Sequence, residues 1–157
     1  MPAQITDMTT NTIQFPSVGA TAPQAFISKL EDQPVECGLD QGHGTVTWRT
    51  LISSDRTPSS DFLLGWAEFP PNGVLHLHRH EPPEFYLCLA GSGIVTIDGC
   101  EHRLAVRTAV YVPGNAEHGV IAGHDGLTFA YGFAKDSFAD INYVFSEQSH
   151  LETVTAA

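Results

Sequence analysis

Residues 73–86 read Gly-Val-Leu-His-Leu-His-Arg-His-Glu-Pro-Pro-Glu-Phe-Tyr, and the pattern of this stretch decides the fold. Leu75 and Leu77 alternate with His76, His78 and His80, the period of a β-strand and not of a helix. Residues two apart share a face, so the three histidines are expected to point one way and Leu75, Leu77 and Arg79 the other. Three imidazoles on one strand face are costly to bury unless each bonds something. Glu84 opens the next strand, which puts Glu84, Tyr86 and Cys88 on one face and Phe85, Leu87 and Leu89 on the opposite one.

Outward from this stretch the chain keeps the same texture. Strands are predicted over Thr45–Ile52, Phe62–Phe69, Val74–His80, Glu84–Ala90, Gly93–Asp98, Glu101–Leu104, Ala109–Val112, His118–Ile121 and Leu127–Phe133. Pro70 to Gly73 and Pro113-Gly114-Asn115 read as turns, Asp98-Gly99 as a tight hairpin, and Gly91-Ser92-Gly93 as another hairpin turn. Many short strands with almost no helix indicate an antiparallel sandwich or barrel. Residues 1–44 differ, being rich in Thr, Pro, Gln and Ala, and read as an arm. Within it a short helix is predicted from Pro23 to Glu31, capped by Thr21 or Ala22, with Phe26, Ile27 and Leu30 as its apolar stripe. The first dozen residues are expected to be loose. A barrel over 45–146 and a tail over 147–157 complete the division. Asp136–Ile141 is expected to make a helical turn that leads into a last strand, Tyr143–Phe145.

Composition narrows the function classes. The 157 residues carry seven Lys+Arg against eighteen Asp+Glu, a formal net charge of −11, and 42% of them are hydrophobic. That suits one domain with a real core. An acidic chain is a poor partner for nucleic acid or for anionic membranes, and its field favours a cationic or zwitterionic small molecule. The N-terminus has no signal-peptide pattern, and no apolar run is long enough to span a membrane. Cys37, Cys88 and Cys100 form no CxxC pair, so free thiols and a cytoplasmic location are expected.

Three His and one Glu can bind one divalent transition metal, whether Fe, Mn, Co, Ni, Cu or Zn, and leave one or two positions open for water or substrate. The spacing H-x-H-x3-E-x6-G (His78, His80, Glu84, Gly91), followed by P-x4-H (Pro113, His118), resembles the two motifs of the cupin superfamily. The resemblance implies an all-β fold, a single small cupin jelly-roll (double-stranded β-helix) barrel, with His78, His80, Glu84 and His118 as metal ligands. Two motif glycines are displaced: Asn72 and Asn115 stand at their spacing, with Gly73 and Gly114 beside them. Asn tolerates left-handed backbone, so both turns can survive.

Several stretches are also similar to small single-cupin lyases of dimethylsulfoniopropionate (DMSP): VTWRTLI at 46–52, LGWAEFPPNG at 64–73, LHLHRHEPPEFY at 75–86, PGNAEH at 113–118 and DSFADINYVF at 136–145. That similarity implies β-elimination of DMSP, or a related small carboxylate, to acrylate and dimethyl sulfide, with Tyr86 as base and Tyr143 as a second catalytic tyrosine. Aromatic faces hold onium cations, which makes Trp48, Trp66, Phe129, Tyr131 and Tyr143 candidates for the sulfonium end. His76 is expected to line the pocket or orient a ligand. His43, His102, His124 and His150 are expected in solvent, Arg79 and Arg103 outside the pocket, and Cys88 as an inert buried thiol. A homodimer is expected, with Thr6–Gln14 closing a sheet edge of the partner. The same ligands would serve a non-haem iron dioxygenase acting on an enolisable or phenolic compound. A non-catalytic sensor cupin is the third reading.

Overall fold

The computed structural model describes residues 22–147. Nine strands run in chain order: β1 (Glu36–Cys37), β2 (Thr47–Ile52), β3 (Leu63–Phe69), β4 (Val74–Arg79), β5 (Glu84–Ile97), β6 (Cys100–Ala105), β7 (Ala109–Val112), β8 (His118–Phe133) and β9 (Val144–Phe145). The organising feature is that β5 and β8 are long, antiparallel and bent together. The Glu84–Cys88 half of β5 pairs with Phe129–Phe133, and its Gly93–Ile97 half with His118–Ala122. One half of each strand therefore joins a sheet ordered β1-β2-β3-β8-β5-β7, and the other half a sheet ordered β6-β5-β8-β4-β9. The two sheets close over a shared core in which Tyr86, Val95, Leu104, Val112, Val120 and Phe129 are buried.

The bend sits at glycines. Gly91 and Gly126 have φ of 71° and 79°, and a Cβ on Gly91 would fall on the Gly126 carbonyl. A side chain at either site would straighten the corner. This overturns the hairpin expected at Gly91-Ser92-Gly93: the segment is a bulged corner inside one strand, with register shifts on both sides of it. The predicted pairs Glu84–Ala90 with Gly93–Asp98, and His118–Ile121 with Leu127–Phe133, are thus halves of single strands. The Asp98-Gly99 hairpin forms as expected, with φ of 47° and 78° between the paired ends Ile97 and Cys100. Asn72 (φ 57°) and Asn115 (φ 61°) adopt the left-handed backbone that their turns demand.

The helix predicted over 23–31 does not form; only Leu30–Asp32 makes a 3-10 turn. Ile27 is 90% exposed, so the intended stripe has no surface to bury against, and a helix this short does not hold without one. The segment runs along the barrel instead, with the Gln24 N–H donating to the Pro58 carbonyl at 2.9 Å. Strand β1 was not predicted. The turn near 136–141 is present as Phe138–Asp140, closed by a capping box between Ser137 and Asp140. Thr6–Gln14, the first dozen residues, His150 and nearly all of the expected tail lie outside the described residues. Among the described residues, no helix is long and apolar enough to cross a membrane.

Candidate metal centre

Strand parity alone would place His76, His78 and His80 on one face. It fails at one point. Val74 and Leu75 pair with Ile121 and Val120, but the next pair is His78 with His118, so His76 and Leu77 together oppose Gly119. That is a β-bulge. A Cβ at Gly119 would stand 2.9 Å from the Leu75 carbonyl, so the bulge needs glycine opposite it. The result is that Leu75 turns into the cavity with His78, while the His76 side chain does not line it.

His76 still serves the site through its backbone. Its carbonyl accepts from His78 Nδ1 at 2.8 Å, the Pro82 carbonyl from His80 Nδ1 at 2.9 Å, and the Ala116 carbonyl from His118 Nδ1 at 2.9 Å. All three rings are held the same way, which turns each Nε2 inward as the atom that can ligate a metal. His80 Nε2 and His118 Nε2 stand 3.3 and 3.2 Å from Glu84 Oε2. The ligand atoms of His78, His80, Glu84 and His118 all lie within 4.8 Å of one another, and all four residues are buried. Three nitrogens and one carboxylate oxygen, converging out of water, fit one divalent ion.

The charges of the four groups are tuned against one another. Burial, and then the neighbouring His118, depress His78 to about 4. Burial acts the same way on His80, but its hydrogen bond to Glu84 and the Glu84 charge more than offset this and raise it. Burial would lift the Glu84 carboxyl, and the hydrogen bonds from His118 and His80 reverse that and lower it. The centre thus presents neutral His78 and ionised Glu84, the protonation states that metal ligands need.

Two of the four, His78 and Glu84, line a cavity of about 240 Å³. The cupin domain family model matches residues 65–130. The chain is also 53% identical over 116 residues to dimethylsulfoniopropionate lyase DddW of Ruegeria pomeroyi, an alignment covering 74% of this chain and 76% of that protein. The chain belongs to the cupin family. Solved structures share the fold. The polyketide cyclase RemF from Streptomyces resistomycificus superposes with a TM-score of 0.67 at 22% identity, over 80% of this chain and 89% of that one. A structure of the DMSP lyases RdDddP and RnDddQII gives 0.63 at 14% identity, over 73% and 63%.

Around the centre, this cupin gathers aromatic rings. Tyr86, Trp48, Phe129, Tyr131 and Tyr143 all line the cavity. The Tyr143 ring packs 5.3 Å from His78 and 5.4 Å from His80, and Tyr86 lies 6.4 Å from His118. Tyr86 is 1% exposed, and among the described residues its hydroxyl has no partner in good hydrogen-bond geometry, although Glu84 is near enough for a weak polar interaction and for its charge to be felt. Burial first, and the Glu84 charge second, push the phenols of Tyr86, Tyr131 and Tyr143 well above the usual range. The Tyr131 ring rests on Gly65, where a Cβ would collide with it.

Trp66 is a correction. Along β3 the buried positions are Leu63, Gly65, Ala67 and Phe69, so Trp66 stands on the outer face, where its indole N–H donates to Glu68 at 3.3 Å. His43 is the opposite correction: expected in solvent, it lines the cavity. His102, His124, Arg79 and Arg103 are exposed and Cys88 is buried, as expected. The sequence reading also missed Thr50 in the buried wall of the cavity and Glu36 and Arg56 at its partly exposed mouth. Glu36 accepts from Thr50 Oγ1 at 2.9 Å and holds Arg56 bidentately at 2.7 and 2.9 Å. Thr50 was findable, because it shares the alternating face of Val46 and Trp48. Glu36 was not, because a two-residue strand leaves no periodic trace.

Proposed function

We propose that this cupin is a metal-dependent carbon–sulfur lyase that cleaves DMSP to acrylate and dimethyl sulfide. The observation that carries the reading is the buried, unpartnered Tyr86 hydroxyl beside the four-residue centre, in a chain whose 53% identical relative is a DMSP lyase. An orphaned buried hydroxyl costs about 1–3 kcal/mol, a cost that makes sense where substrate completes the bond.

His78, His80, Glu84 and His118 would hold the metal. When bound, the ion would supply positive charge that engages the substrate carboxylate, acidifies the carbon beside it and offsets the Glu84 charge on the phenols. Tyr86, as phenolate, takes the proton from the carbon next to the carboxylate. The electron pair of that C–H bond becomes the new double bond, and the C–S pair leaves with dimethyl sulfide. Trp48, Phe129, Tyr131 and Tyr143 offer ring faces to the sulfonium and keep water from the reacting carbon. The strongly negative exterior suits a substrate that arrives with a cationic end. The test is headspace dimethyl sulfide from DMSP with protein loaded in turn with Fe, Mn, Co, Ni and Zn. Silence with every metal ends the reading.

A further inference from the structure

The elimination leaves one proton in the cavity at every turnover, and the buried wall offers few ways out. Among the charged and titratable residues lining the cavity outside the metal centre, Glu36 and Arg56 are locked to each other. The tyrosines are held high by burial. That leaves His43, the one histidine that lines the cavity outside the metal centre, and imidazole is the side chain most used to take up and release a proton.

His43 is a built site. It ends the 3-10 turn Gln41–His43, whose N-cap Asp40 accepts from the His43 backbone N–H. Asp40 Oδ1 also accepts from His43 Nδ1 at 2.7 Å. A carboxylate on Nδ1 fixes the tautomer with Nε2 unprotonated, and it stabilises the imidazolium once a second proton arrives. The ring is clamped rather than loose. It lies on Gly38, where a Cβ would overlap it, and packs 5.4 Å from Trp48, 5.6 Å from Tyr143 and 4.8 Å from Phe145. Its side chain is 19% exposed, while that of Asp40 is 59% exposed. The pair therefore spans the wall from cavity to bulk water.

We propose that His43, oriented by Asp40, carries the substrate-derived proton out of the cavity; this rests on the lyase reading above. Across the cavity that both side chains line, the O–H bond of the phenol that took the proton breaks, and an N–H bond forms at His43 Nε2. The imidazolium lies against the Asp40 carboxylate until the proton passes to water, which restores both base and carrier.

The test uses the metal-loaded full chain. His43→Ala is expected to lower kcat for dimethyl sulfide release on the order of 100-fold, with KM changed a few-fold at most and metal content unaltered. Added imidazole is expected to restore the rate in His43→Ala, saturably, without accelerating the wild type. Asp40→Asn is expected to lose less, and nitrogen NMR of the His43 ring should show its Nδ1–H tautomer weakened in that variant. Wild-type kcat retained in His43→Ala, or a lost kcat that imidazole does not rescue in either His43→Ala or the roomier His43→Gly, overturns the inference. An inactive wild type overturns the lyase reading and this inference together.

Discussion

The metal end of the cavity is made of paired strands, and the mouth is made of loops and two-residue strands. At the metal end, each histidine ring is oriented by a backbone carbonyl of its own neighbourhood, and the residues fall in motif order. At the mouth, Glu36, His43 and Arg56 come from three separate segments, tied by side-chain contacts: an ion pair, a carboxylate–imidazole bond and a tilted ring contact from His43 to Tyr143. A strand-built site tolerates little error and reads clearly from sequence. A loop-built wall can vary its residues without disturbing the centre, and this is where specificity is free to change.

The largest effects should separate the two ends. His80→Ala or His118→Ala removes an inward-facing donor, so bound metal, measured by elemental analysis, should fall by more than the roughly 10–100-fold typical of outer-shell changes, and lyase activity with it. Tyr86→Phe should keep its metal and lose on the order of 10²–10⁴ in kcat, the usual worth of a general base. Full activity in Tyr86→Phe would move the base from the strand-built end to the mouth.

Next in size is a pH effect confined to the metal end. In the metal-free protein His78 is depressed from 6.5 to about 4, so between those values the unfolded chain binds the proton and the folded one does not. Its stability contribution is complete above 6.5 and is lost as pH falls toward 4, about 3 kcal/mol in all. His80, raised by Glu84, acts in the opposite sense: its contribution is present below 6.5 and lost as pH rises through its folded value. Urea unfolding of the chelated protein should therefore weaken from pH 6.5 to 4, and His78→Asn should flatten that slope. An unchanged slope in His78→Asn would mean that other groups set the acid limit.

This difference between the ends also explains what the sequence could and could not reveal. The ligand set was legible because His78, His80 and Glu84 lie within seven consecutive residues and His118 follows a recognisable turn. The left-handed turns at Asn72 and Asn115 were legible from residue type. His76 was misplaced because a bulge is invisible to period-two counting; only Gly119, a glycine in a strand facing it, hints at the extra residue. The two halves of β5 looked like two strands because a corner glycine and a turn glycine are the same letter. Trp66 and Trp48 sit in similar alternating strands, and alternation says that a face exists without saying which face is inside.

That last ambiguity yields the smallest and sharpest prediction. Trp48 lines the cavity and Trp66 does not. If aromatic faces hold the sulfonium, Trp48→Leu should weaken binding by about 0.5–2 kcal/mol, the range for a cation–π contact, read as a several-fold or greater rise in KM for DMSP. Against 4-methylpentanoate, a competitive inhibitor with C–H in place of the sulfonium S+, the same variant should change much less, because that ligand keeps the carboxylate and the apolar contact but has no cation for the ring face to hold. Trp66→Phe should alter neither constant by more than about 0.5 kcal/mol, as for most surface changes. Equal effects of the two tryptophan variants would show that the outer face of β3 reaches the substrate. A Trp48 variant that weakens both ligands alike would assign Trp48 to shape rather than to charge, and would pass cation recognition to Phe129, Tyr131 and Tyr143.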